Sequence, residues 1–250
     1  MTDFNGKAYF ISGAANGLGR AIALGLAQRG AIVGIADLDG DGLASLAEEI
    51  RGAGADCVSL TADMGDRGSV FRAVRALAGK AGGVDGVINN ASYLVYEPIE
   101  DVTEDTLDKM IGAGVKSTIW GCQAMVECRR QGAPGAIINF SSPVVFKGYP
   151  RTAIYSLVKS AVASLTRTLS AELGPQNIRV NSIAPGSVPT PGALKYVDAQ
   201  EYERRSTTIP LRRLGQEADI VSAIVFLLGD EASFVNGATL AVDGGITASA

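Results

Sequence analysis

Lys7-Ala8-Tyr9-Phe10-Ile11-Ser12, followed at once by Gly13-Ala14-Ala15-Asn16-Gly17-Leu18-Gly19, reads as a short apolar strand entering a glycine-rich turn. The helical pattern of Ala21 to Gln28 comes directly after it. Glycines let the backbone approach a pyrophosphate, and unpaired N–H groups at a helix start favour the anion. The spacing is G-x-x-x-G-x-G rather than G-x-G-x-x-G, so the turn alone also fits a purely geometric role. A second strand, Ala31 to Ala36, ends at Asp37, eighteen residues beyond Gly19. A carboxylate there accepts hydrogen bonds from both ribose hydroxyls of an adenosine and repels a 2′-phosphate, which predicts NAD over NADP. The competing reading is that Asp37 only opens the turn Asp37-Leu38-Asp39-Gly40.

Outward from this unit the alternation continues. Asp41 to Gly52 is a helix with Leu43, Leu46, Ala47 and Ile50 on one side, and Cys57 to Leu60 is the third strand. At its exit, Asp63 is expected to hydrogen-bond an adenine and Met64 to pack on it. A helix over Ser69 to Ala78 leads to a fourth strand, Gly86 to Ile88, which runs into Asn89-Asn90-Ala91-Ser92. Those asparagines either hold the central turns together or border the cofactor. Strands alternating with helices at this spacing predict a right-handed, Rossmann-like doubly wound parallel sheet in a three-layer α/β/α domain, with ligands at the carboxyl ends of the strands.

Composition agrees. Of 250 residues, 47% are hydrophobic and 19% charged, with 31 glycines, as suits a parallel sheet buried on both faces. No proline-, serine- or charge-rich stretch divides the chain, so one domain is expected over 1–250. A formal charge of −4 without basic clusters argues against nucleic acid as the partner. Cys57, Cys122 and Cys128 lack CxxC spacing and read as buried thiols in a reducing, cytoplasmic setting. No metal site, signal peptide or membrane span is expected.

Chemistry enters with Tyr155-Ser156-Leu157-Val158-Lys159, which puts a phenol and an ammonium on one helix face. The chain has no histidine, so proton transfer near neutral pH needs a group with a displaced pKa. A nearby cation is expected to pull the phenol below its ordinary value. A fifth strand, Ala136 to Phe140, leads to Ser142, thirteen residues before Tyr155.

The ordered set of motifs resembles the classical short-chain dehydrogenase/reductase family over nearly the whole chain. It comprises Ser12 to Gly19, Asp37, Asn89-Asn90-Ala91-Ser92, Ser142, Tyr155 and Lys159, Arg179-Val180-Asn181, Pro185 to Thr190, and Val242-Asp243-Gly244-Gly245. The resemblance implies Tyr155 as general acid/base, Lys159 as the residue that lowers its pKa and holds the nicotinamide ribose, and Ser142 as donor to the substrate oxygen. It also implies an NAD site built from Gly13, Asn16, Gly17, Leu18, Gly19, Asp37, Leu38, Asp63, Met64, Asn90, Ala91, Ser92, Tyr155, Lys159, Pro185 and Gly186, with Val188 and Thr190 orienting the carboxamide. Pairing of the helices Glu104 to Arg130 and Ala153 to Leu173 across two-fold axes implies a homodimer or homotetramer.

Two departures stand out. Gly114 occupies the position of the family's fourth catalytic residue, an asparagine, and glycine there supplies no side-chain amide. Ser92 replaces the last glycine of NNAG. The expected substrate is an alcohol or ketone. Tyr93, Leu94, Val95, Pro143 to Phe146 and Tyr149 suggest a hydrophobic or aromatic one, while Lys147 or Arg151 would suit an anionic group. Residues 191–210 read as a substrate lid, with Glu201, Glu203, Arg204 and Arg205 forming a charged, solvated helix face. Alternatives to a dehydrogenase or reductase are a weakened NAD-binding scaffold, motivated by Gly114, and a same-fold epimerase or dehydratase.

Overall fold

β1 (Ala8–Ser12) is buried along its whole length, and its two neighbours decide the topology. It pairs in parallel with β2 (Ile32–Asp37) on one side and with β4 (Gly86–Asn89) on the other. The structure, a computed structural model, describes residues 2–195 and 197–249. With β3 (Cys57–Thr61), β5 (Gly135–Phe140), β6 (Ile178–Pro185) and β7 (Thr239–Val242), one seven-stranded sheet forms in the order β3-β2-β1-β4-β5-β6-β7. Every pairing is parallel, so the chain crosses over through helices.

Alternating side chains of the strands feed two separate cores. Tyr9 and Ile11 of β1 meet α1 (Gly17–Ala27), α2 (Gly40–Gly52) and α8 (Glu217–Leu228) through Ile22, Leu26, Leu46 and Ile224. Ala8 and Phe10 point the other way, to α3 (Arg67–Ala81), α5 (Ser117–Cys128) and α6 (Ala153–Leu173), through Phe71, Leu77, Met125 and Leu173. This is the expected doubly wound, three-layer arrangement. Element ends shift by up to four residues from the sequence reading, the largest at the start of α1.

One expected helix is not continuous. Glu104 to Arg130 divides into α4 (Glu104–Met110), a π-helical turn over Ile111–Lys116, and α5. Gly114 sits inside that turn. No helix among the described residues is long and apolar enough to cross a membrane.

Candidate active site

At the switch point the connections leaving β1 and β4 run to opposite faces of the sheet and open a crevice. The glycine turn lines it. Gly13 has φ +66°, and a Cβ there would stand 2.8 Å from Ala91 Cα, so only glycine lets the turn lie against the end of β4. A Cβ on Gly17 would press on Thr190 Cβ at 3.1 Å, which puts the loop after β6 directly over the turn. The side chain of Asn16, the residue that starts α1, makes no cap bond, although Asp39, Asp66 and Thr103 cap α2, α3 and α4 with theirs. N–H groups at the start of α1 therefore remain available to an anion.

Asp37 closes the far side of this cradle. Its carboxylate accepts from Ala15 N at 3.0 Å and Asp39 N at 3.2 Å, which fixes it beside the turn. Leu38 beside it is largely exposed. A dinucleotide fits these residues: a glycine cradle, open N–H groups and an oriented acid. Asp63 is exposed and accepts from Gly65 N, but Met64 is withdrawn into the core, so its side chain does not offer the expected surface for an adenine.

Asn90 proves to be a clamp. Its amide donates to Ser12 O at 3.0 Å and Gly13 O at 2.8 Å, while Ser12 Oγ accepts from Asn90 N and Ala91 N. Ser12, given no role of its own in the sequence reading, thereby sews β1 to β4. Asn89 lies in the core and donates to Asn139 Oδ1 at 2.8 Å; Asn139 donates in turn to Thr166 Oγ1 at 3.0 Å. Ser92 is exposed at the crevice, Pro185 ends β6, and Gly186 N donates to Val242 O. The Val188 side chain belongs to the core, leaving its backbone to face a ligand, whereas the Thr190 hydroxyl accepts from Ala193 N at 3.3 Å and keeps its own proton to donate.

The catalytic candidates converge beyond β5. Ser142 is buried, with its backbone extended at the head of the turn Pro143–Val145. Tyr155 and Lys159 share one face of α6. The phenol differs from expectation: burial raises it well above its ordinary value, the nearby Tyr96 adds to the rise, and a hydrogen-bonding interaction with Ser142 partly opposes both. Lys159 Nζ instead donates to Phe140 O at 3.0 Å and lies 5.8 Å from the Tyr155 ring centroid. Burial lowers the ammonium itself to about 8. Desolvation is the leading cause of both shifts.

Tyr96, absent from the sequence expectation, meets Tyr155 edge to face with ring centroids 5.6 Å apart. It lies in an irregular stretch after β4, where no periodicity announces which side chain turns inward. Tyr93 and Phe146, which the sequence favoured, are exposed. Within 191–210, α7 (Ala199–Thr208) buries Tyr202, and Arg205 Cζ stands 5.9 Å from that ring. The helix is therefore not a uniformly solvated face. Tyr196, within 191–210, lies outside the described residues.

Gly114 packs directly under α6, where a Cβ would overlap Val158 Cγ1. An asparagine in this backbone requires Val158 to move. The Gly114 carbonyl accepts from Thr118 Oγ1 at 2.7 Å.

Known proteins share this arrangement. A family model described as enoyl-(acyl carrier protein) reductase matches residues 13–247. Trans-4-hydroxycyclohexanecarboxylate dehydrogenase of Sinomonas cyclohexanicum is 39% identical over 248 residues, covering 97% of this chain and 93% of that protein. Cyclopentanol dehydrogenase of Comamonas testosteroni is 34% identical over 250 residues, covering 99% and 100%. The structure of a short-chain dehydrogenase from Burkholderia cenocepacia J2315 in complex with NADP superposes with a TM-score of 0.90 at 28% identity, covering 97% of this chain and 98% of that one. The glycine cradle, the Ser142, Tyr155 and Lys159 cluster and these full-length matches agree: the chain is an alcohol/carbonyl oxidoreductase that transfers hydride, and it belongs to the short-chain dehydrogenase/reductase family.

Proposed function

We propose that the protein is an NAD-dependent oxidoreductase of ring-shaped secondary alcohols and their ketones, with Tyr155 as general acid/base. The observation that carries this reading is the convergence of Ser142, Tyr155 and a buried Lys159 at the carboxyl ends of the strands, beside a glycine turn suited to a dinucleotide. The ring preference is supported by the two relatives that are named for ring alcohols and by the aromatic walls, Tyr96 and Tyr202.

Bound NAD supplies the hydride acceptor or donor and, when oxidised, a positive charge beside the phenol. The chain supplies the rest. With its phenol raised, Tyr155 holds its proton at neutral pH and is ready to donate it to a carbonyl oxygen. Ser142 donates a hydrogen bond to that same oxygen as negative charge develops on it. Lys159, held by Phe140 O, keeps two further N–H bonds for the ribose hydroxyls. The oriented carboxylate of Asp37 accepts from the adenosine ribose and repels a 2′-phosphate. Gly13, Asn16, Gly17, Leu18 and Gly19 receive the pyrophosphate, and Val188 and Thr190 the carboxamide.

Self-association as a homodimer or homotetramer belongs to the same reading. It is supported by an apolar groove of about 390 Å³ on the π-helical turn, α5 and α6, lined by Val115, Ile119, Ala161 and Leu165 among others. The free cysteines suit a cytoplasmic setting.

The test is oxidation of cyclopentanol and cyclohexanol with NAD or NADP, followed at the reduced-nicotinamide band. Turnover should favour NAD, and Tyr155→Phe should lower kcat by roughly 10²–10⁴ with binding of NAD retained. NAD binding without turnover would instead support a scaffold. Product without net reduction of NAD would point to an epimerase or dehydratase.

A further inference from the structure

One cation on the lid helix is not used by the chemistry above. The Arg205 side chain is 30% exposed, and its Nε donates to Glu201 Oε1 at 2.8 Å. Arg204, 66% exposed, takes both oxygens of the same carboxylate at 2.7 and 2.8 Å. One glutamate facing two guanidinium groups leaves the trio with surplus positive charge. Among the described residues, the two terminal nitrogens of Arg205 donate to no protein acceptor. Those nitrogens form the planar fork that matches a carboxylate in two parallel bonds.

Position gives the fork a purpose. The guanidinium lies beside the buried Tyr202 ring, and its charge acts on three phenols from three elements: Tyr96 after β4, Tyr149 before α6 and Tyr202 of α7. Tyr96 in turn touches Tyr155. Arg205 thus stands against Tyr202 and near enough to Tyr96, the neighbour of the proposed acid/base, for its charge to act there. Asp243 also acts on Tyr149, but its oxygens accept from Gly245 N, Thr247 N and Thr247 Oγ1 at 2.8, 3.1 and 2.6 Å, so it does not compete for the fork. Lys147 and Arg151, the cations weighed from sequence, are exposed on the surface.

We propose that Arg205 is a specificity-determining residue that binds a carboxylate on the substrate, remote from the reacting carbon, making the substrate a ring hydroxy acid or oxo acid. This rests on the ring-alcohol reading above and sharpens it. Glu201 orients the guanidinium by its Nε and leaves the fork to the ligand.

Reduction of 4-oxocyclohexanecarboxylate is compared with that of 4-methylcyclohexanone in wild type, Arg205→Met and Arg205→Lys, each checked for unchanged melting. Wild type should prefer the acid. The ratio of kcat/KM, acid over neutral ketone, should fall by roughly 10- to 100-fold in Arg205→Met, mainly through KM. Arg205→Lys should recover only part of it, because an ammonium lacks the fork. No preference in wild type, or equal losses on both ketones in the variant, overturns the proposal while leaving the ring-alcohol reading intact. Should neither ketone be reduced, that reading fails, and calorimetric binding of cyclohexanecarboxylate with NAD present decides the role of Arg205. Binding lost in Arg205→Met supports it; binding absent or unaffected overturns it.

Discussion

Asp85, at the start of β4, and Lys159, near the crevice, are buried almost equally, at 4% and 5% exposure, yet the fold treats them in opposite ways. Asp85 receives Ala8 N at 2.8 Å, Arg130 Nε at 3.1 Å and Nη2 at 3.0 Å, with Lys7 Nζ at 3.7 Å. Among the described residues, Lys159 has Phe140 O and no carboxylate. A charge that serves architecture is surrounded until its bonding capacity is used. Lys159, proposed above to hold the nicotinamide ribose, keeps bonding capacity in reserve and is left with a depressed pKa of about 8. On the proposed function, the amino end of the sheet is built for stability and the carboxyl end for reaction.

Breaking the first half of this contrast should have the largest effect. Asp85→Asn leaves Arg130 without its ion partner and should destabilise the protein by about 3–5 kcal/mol, lowering Tm by roughly 10 °C. The kcat/KM of the folded fraction should change little. A large catalytic loss at unchanged Tm would abolish the division of labour between the two ends.

The second half predicts a pH signature of opposite sign. Because the folded pKa of Lys159 lies below its unfolded value, the unfolded chain binds more protons between about 8 and 10.5. Burial of this ammonium therefore costs stability below pH 8, and the cost fades as pH rises to 10.5. Its size is roughly 3 kcal/mol. Lys159→Met should melt higher than wild type at pH 7, be nearly inactive, and lose most of its advantage by pH 10. Parallel melting curves across that range would show that the ammonium is not desolvated as described.

Gly114 gives the smallest and sharpest test. Gly114→Asn should cost about 1–3 kcal/mol through overlap with Val158. Gly114→Asn combined with Val158→Ala should be less destabilised than the sum of the two single variants, as expected for residues in contact. Simple additivity in denaturant titrations would mean that the two do not compete for the same space.

The strand-turn-helix unit was legible because its signals are local: the glycines of 13–19 and the acid at Asp37 encode a backbone path that does not depend on distant residues. The existence and parallel course of the other strands followed from their alternation with helices, whereas their register did not. Three things were not legible. Met64 sits at a strand exit, where a side chain has equal access to core and crevice, and it went to the core. The Tyr155 phenol was read from its neighbour four residues on, but desolvation, a property of the whole fold, outweighed that neighbour. Tyr96, Tyr202 and Arg205 come together from an irregular loop and α7, more than a hundred residues apart. No spacing rule links them.

The buried chain from Asn89 to Asn139 to Thr166 crosses β4, β5 and α6. Two amides and a hydroxyl accept no apolar replacement without stranding a partner. Anyone transplanting α6 with its tyrosine and lysine into another scaffold would have to carry all three residues as one piece. The reactive helix is in this sense inherited together with the strands beneath it.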